Sequence, residues 1–269
     1  MPTGEIPAWA VMWGLAVVIF YGCKTLTWVA ADGATAALSR SAAYFVAWPG
    51  LDTRAFLRDD GPRPARPTLA EWVGAAVTTA AGGVLVFAVS RRVADDYLAG
   101  WVGMVGLIML LHFGSFHLLS CAWRRAGVDA KPLMNKPFSS TGLGEFWGRR
   151  WNTAFRDLAH RFLFRPLTPR LGPRGAVFVG FLFSGVVHDV VISWPAGGGW
   201  GGPTAYFVLQ ACGMLAERSR AGRGLGLGYG VVGWLFAMTL LGLPLGLLFH
   251  RPFVLDVIVP FLDAIGARG

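Results

Sequence analysis

Apolar stretches long enough, or nearly long enough, to cross a bilayer recur along this whole 269-residue chain, and no other feature restricts its folding as tightly. They fall at about 8–30, 34–50, 70–89, 99–123, 175–194, 203–216, 226–249 and 253–266. In lipid each backbone N–H and C=O must find its partner inside the protein, so such stretches fold as helices. The second, sixth and eighth are short, which suits tilted, re-entrant or protein-packed helices. The expectation is an all-α, polytopic transmembrane bundle of about seven or eight spans, one integral membrane domain over 1–269.

Composition agrees. The chain is 54% hydrophobic and only 14% charged, against about 25% charged in soluble domains. Twelve Trp and nineteen Phe suit lipid-facing and interfacial positions. The first apolar stretch lacks a basic n-region and reads as a first span rather than a cleaved leader. Cys23, Cys121 and Cys212 lie in apolar stretches without metal-ligand spacing and read as small buried hydrophobes. No metal site is expected.

The net charge of +9 matches basic loops facing anionic lipid, and nucleic acid is not an expected partner. Residues 124–174 carry 11 of the 24 Lys and Arg, against Asp129, Glu145 and Asp157 alone. With that segment in the cytoplasm, the loops holding Arg54, Arg58, Arg63 and Arg66 and holding Arg218, Arg220 and Arg223 fall there too, as does the N-terminus. The Arg, Ala and Gly bias points to a GC-rich gene and so to a bacterial inner membrane. The run Gly222, Gly224, Gly226, Gly228, Gly230 has neither the strand before it nor the Lys-Ser/Thr after it that a phosphate loop needs. It reads as the start of a span where backbones approach closely.

Residues 144–165 read GEFWGRRWNTAFRDLAHRFLFR. At helical spacing Trp147, Trp151, Ala154, Phe155, Leu158 and Phe162 share a face flanked by Arg149, Arg150, Arg156 and Arg161. The pattern predicts an amphipathic helix at the cytoplasmic interface, capped by Ser140 or Thr141 and stopped by Pro166. Asn152 sits at the edge of the apolar face beside Arg149 and Arg156. A polar amide next to guanidinium groups at the water–lipid boundary suits a phosphorylated ligand with an apolar tail, such as acyl-CoA.

Within 175–194 (GAVFVGFLFSGVVHDVVISW), His188 lies about 20 Å along a helix from Gly175. A polar side chain that deep in hydrocarbon is costly, which makes a functional role the default reading. A neutral imidazole there offers a lone pair to act as a general base. The small residues Ser184 and Gly185, a turn earlier, are expected to leave room for a substrate chain. Asp189 points about 100° away and is expected to meet another span or water rather than His188. His112 and His117, five apart, are poorly aligned for a metal; His160 and His250 read as interfacial, and Lys24 as snorkelling.

Together, PFSSTGLGEFWGRRWN (137–152) and FSGVVHD (183–189) resemble the wax synthase branch of the membrane-bound O-acyltransferase family. The resemblance implies acyl transfer from acyl-CoA to a long-chain alcohol in a reaction chamber buried within the bilayer. His188 would deprotonate the alcohol, and Asn152 would position the acyl donor or stabilise the oxyanion. Trp147, Arg149, Arg150, Trp151, Arg156, Ser184 and Gly185 would line the substrates. Acyl-CoA enters as co-substrate, with no cofactor; the other expected partners are a lipophilic alcohol and membrane lipids. Asp189 departs from the Glu that family members often carry after the histidine. Other acceptors (a sterol, a diacylglycerol, an exported glycan) stay open. A transporter with a His188–Asp189 proton relay predicts inverted repeats, which the sequence does not display.

Overall fold

The computed structural model describes residues 6–58 and 63–268, and among them every regular element is helical. Five helices are long and apolar enough to cross a membrane: Ala8–Val29, Leu69–Arg92, Asp96–Arg125, Thr153–Ala196 and Gly230–Leu248. That is fewer than the seven or eight expected. The stretch at 34–50 folds as the ten-residue helix Leu38–Ala47, about 15 Å long and half a hydrocarbon core. Gly202–Glu217 has 16 residues, and its Tyr206, Phe207, Gln210 and Met214 are buried. One face thus packs against protein, one of the arrangements its shortness suits, while Leu209 and Cys212 on the other face are exposed.

The chain divides into two compact units. One takes in Val17–Met134 and the C-terminal residues from Leu262. Here Leu69–Val84 and Asp96–Ile108, with the π-helical turn Met109–Ser115, approach through glycines. A Cβ on Gly106 would meet Val86 Cγ2 at 2.8 Å, and one on Gly82 would strike the Leu110 backbone. Such small-residue contacts hold membrane helices together by close packing. Lys24 does not snorkel. It is fully buried, its ammonium donating to the carbonyls of Tyr44 and Gly50 and lying 3.5 Å from the Tyr44 ring centroid. Two carbonyls and a π face replace its lost hydration.

The other unit takes in the described residues up to Ala16 and Asn135–Phe261. Its core gathers Leu143, Phe146, Val177, Met214, Ala237 and Leu241, with Trp147, Trp151 and Phe181 packed against them. The expected amphipathic helix over 144–165 is broken. Leu143–Glu145 runs into a π-turn at Phe146–Arg150; Trp151 is then extended and Asn152 left-handed (φ 39°) before Thr153 starts a new helix. Asn is among the few residues that tolerate this conformation. The break turns Trp147 and Trp151 into the protein core rather than onto a shared lipid-facing stripe.

Pro166 does not end the following helix. The stop comes at Gly172 (φ 66°, ψ 170°), a conformation open only to glycine, and Pro173 begins the next helical stretch with φ already set. From Pro173 to Ala196 the helix is about 36 Å long, enough to span. The glycine run meets its expected role in part: a Cβ on Gly222 would strike the Ala216 carbonyl, and Gly230 opens the last span. Gly226, Gly228 and Gly230 take positive φ where the loop leads into that span, and such φ is cheap only for glycine. Of the cysteines, all free, only Cys121 is buried; Cys212 is exposed on an apolar helix.

Candidate active site

His188 stands on the 173–196 stretch, about 22 Å beyond Pro173. Its Nδ1 lies 2.7 Å from the Ser184 carbonyl one turn back. A carbonyl only accepts, so Nδ1 carries a proton, and in a neutral ring the lone pair is on Nε2. The imidazole stacks against Phe207 at 4.5 Å between centroids. Phe207 belongs to the 202–217 helix, brought close by Gly185, whose Cβ would lie 2.6 Å from Thr204 Cα. The space expected to admit a substrate chain at Gly185 is therefore filled by Thr204. Gly185 serves helix packing.

Asp189 turns away from His188, as its spacing implied. Its carboxylate accepts from Ser193 Oγ (2.8 Å), Gly201 N–H (2.9 Å), Thr204 N–H (3.1 Å) and Thr204 Oγ1. It thereby caps the 202–217 helix, whose first amides otherwise lack partners. His250, expected at the interface, is buried. Its Nδ1 accepts from Phe253 N–H (3.2 Å), which leaves the proton on Nε2, 3.1 Å from Ser193 Oγ. The line His250 to Ser193 to Asp189 fixes the π-helical turn Asp189–Ser193 that directly follows His188.

The FWGRRWN turn is pinned at both ends. Neither Ser140 nor Thr141 caps it. The N-cap is Gly142. The Leu143 and Gly144 amides donate to Glu217 (2.6 and 3.4 Å), and Glu145 accepts from Thr141 N–H (2.8 Å). That amide, with Arg150, holds the Glu145 carboxyl below the usual carboxylate range. At the far end Asn135 N–H donates to the Arg150 carbonyl (2.8 Å) and Arg156 Nη1 to the Gly148 carbonyl (3.2 Å).

The expected substrate-binding arginines thus differ in what they touch. Arg150 pairs with Glu145 at 2.7 Å and donates to the Asn135 and Lys136 carbonyls. Arg156 pairs with Asp157. Arg149 is exposed, with no bonded partner among the described residues, and keeps its full donor fork.

Aromatic contacts join this turn to His188. Trp147 packs edge-on against Phe181 (5.6 Å) and tilted against Phe207 (5.8 Å), while Trp151 stacks on Phe146 (5.3 Å). Trp147 Nε1 donates to Gln210 (3.4 Å), whose amide donates to the Leu240 carbonyl (2.7 Å). Asn152 follows Trp151 directly, and its carbonyl accepts the first bond of the next helix, from Arg156 N–H (3.1 Å). Phe207, Gln210, Glu217 and His250 were not legible as site residues. Only Asp189, read as reaching toward another span, hinted at the 202–217 helix.

Comparison with known proteins finds similarity over the same part of the chain. Residues 130–209 match the membrane bound O-acyl transferase family. The chain resembles this family. The match contains both the FWGRRWN turn and His188. The Simmondsia chinensis long-chain-alcohol O-fatty-acyltransferase is 31% identical over 141 residues, covering 41% of this chain and 38% of that protein. An Arabidopsis thaliana protein named "Probable long-chain-alcohol O-fatty-acyltransferase 1" is 34% identical over 107 residues, 34% of this chain and 29% of its own. The Arabidopsis acyl-CoA–sterol O-acyltransferase 1 is 34% identical over 71 residues, 24% of this chain and 21% of its own. The matched stretches thus span less than two fifths of these relatives' lengths. Within the family of membrane-bound O-acyltransferases, the resemblance is to the wax synthase branch.

Proposed function

We propose that this integral membrane protein transfers a fatty acyl group from acyl-CoA to a long-chain alcohol, forming a wax ester. The observation that carries the reading is the His188 hydrogen bond to Ser184 C=O, which assigns the Nδ1 position to a proton, so that Nε2 is the nitrogen that accepts one in the neutral ring. In the proposed reaction Nε2 takes the alcohol's proton as its oxygen bonds to the thioester carbonyl carbon. The tetrahedral intermediate then collapses, the C–S bond breaks, and the imidazolium returns the proton to the departing CoA thiolate. Atoms and charge balance without a cofactor. Asn152 is assigned to the developing oxyanion or the acyl donor, where a fixed amide dipole lowers such barriers. Arg149, exposed and with its guanidinium unengaged among the described residues, is assigned to the CoA phosphates.

A sterol acceptor is the second reading, favoured by the resemblance to the Arabidopsis sterol acyltransferase. The basic segment 124–174, and CoA with it, is assigned to the cytoplasmic side on the positive-inside rule. With Leu38–Ala47 too short to cross, three spans precede that segment, so the N-terminus expected on the same side is not proposed there. A bacterial inner membrane is proposed on composition alone. The test uses membranes containing the protein, labelled acyl-CoA and a panel of long-chain alcohols and sterols. Ester is expected from the alcohols with wild type and not with His188→Ala; full activity in that variant overturns the mechanism, and ester from sterols alone moves the assignment to the second reading.

A further inference from the structure

The helix Gly202–Glu217 is held by a carboxylate at each end. At its start Asp189, next to His188, accepts the Gly201 and Thr204 amides. At its last residue Glu217 reaches out and accepts the Leu143 and Gly144 amides that open the FWGRRWN turn. From Thr204 to Glu217 a helix rises about 20 Å. Between these anchors its Phe207 touches His188 and Trp147, and its Gln210 bonds Trp147.

The Glu217 side chain lies in a cradle that three glycines leave open. A Cβ on Gly142 would come within 2.8 Å of Oε2, one on Gly144 within 3.1 Å of Oε1, and one on Gly228 within 3.0 Å of Cγ. Gly142 and Gly228 thus belong to segments 86 residues apart in the chain, both shaped to the same carboxylate. The loop is drawn in further by Thr141, whose hydroxyl donates to the Gly228 carbonyl (3.4 Å). Two amides converge on the Glu217 oxygens, so the anchor requires an accepting oxygen at the reach of this side chain.

We propose that Glu217 is a positioning residue for acyl transfer, setting the FWGRRWN turn against the 202–217 helix and through it against His188. The inference rests on the reading of His188 as the base. Glu217 touches no reacting atom. It fixes where Trp147 and the residues after it stand, and a displacement of about 1 Å from the productive geometry is enough to cost around a hundredfold in rate.

The test uses the full chain in lipid nanodiscs with Glu217→Gln, Glu217→Asp and Glu217→Ala, read by ester formation and by amide hydrogen exchange over 141–150. Gln keeps both the reach and an accepting oxygen, whereas Asp keeps the charge but falls a methylene short. Glu217→Gln is expected to hold kcat within about threefold, and Asp and Ala to lose about tenfold or more with KM for the alcohol unchanged. Exchange at Leu143 and Gly144 is expected to quicken in Asp and Ala and not in Gln. An Asp variant as active as Gln, or unchanged exchange in Ala, overturns the proposal. If Ala does not accumulate as folded protein, the Asp-against-Gln comparison decides. Wild type that makes no ester defeats the functional reading alone, since exchange still reports on the clamp.

Discussion

The two nitrogens of His188 are set apart by a single main-chain carbonyl. Because Nδ1 donates to the Ser184 carbonyl, the lone pair of the neutral ring falls on Nε2, and under the proposed mechanism substitution removes the base as well as the ring that stacks on Phe207. His188→Ala is expected to lower ester formation at least a hundredfold, the range of about 10²–10⁴ that general-base catalysis contributes, at unchanged membrane abundance by immunoblot. Asn152 carries two burdens, its amide and its left-handed backbone (φ 39°). Asn152→Gly keeps the turn and removes the amide, whereas Asn152→Ala removes the amide and strains the turn. Loss of activity in both, measured on purified protein of matched thermal stability, assigns the role to the amide. Activity retained in Gly alone assigns it to the backbone.

At the scale of elements, helix breaks matter more than helices. The break at Gly172 separates the Arg-rich stretch after Thr153 from the apolar stretch that carries His188. Gly172→Ala puts a Cβ where only glycine is at ease (φ 66°, ψ 170°) and is expected to cost about 1–3 kcal/mol, visible as a lower Tm. The turn at 141–151 has its own pH dependence. Glu145 binds a proton more weakly folded than unfolded, so its bonds to Thr141 and Arg150 stabilise the turn fully above the ordinary Glu value of about 4.3. That contribution is lost as pH falls through the lowered folded value. Hydrogen exchange of 141–150 is expected to stay flat from pH 7 to about 5, after correction for intrinsic rates, and to rise only in stronger acid. Glu145→Gln is expected to abolish that transition. These elements were half legible in the sequence. The 3.6-residue pattern over 144–165 places Trp147 and Trp151 on one face, yet periodicity carries no mark of a single residue entering the left-handed region, and the π-turn at Phe146–Arg150 shifts the phase again. The position of Gly185 beside His188 was plain, but its contact with Thr204 belongs to another helix.

For the molecule as a whole, the positive-inside distribution of arginine leads to a topological expectation. Arg223→Cys in the basic loop is expected to react with an impermeant maleimide only after permeabilisation, and Trp200→Cys, in the glycine-rich turn, in intact cells, each over a cysteine-free background. The reverse labelling overturns the assigned orientation. The sequence alone was enough to require a helical membrane protein, because a chain 54% hydrophobic and 14% charged cannot cover a water-facing surface and has no other way to satisfy its backbone in lipid. It also singled out His188 and the FWGRRWN stretch, since a polar side chain deep in a span and a cluster of Arg and Trp are local facts of composition. Tertiary structure decided the rest: the proton on His188 Nδ1, the capping of one helix by Asp189 and another by Glu217, the burial of Lys24 and His250, and the engagement of Arg150 and Arg156 while Arg149 has no side-chain partner among the described residues. Each depends on which distant backbone group comes within about 3 Å of a side chain, and local periodicity holds no such distance.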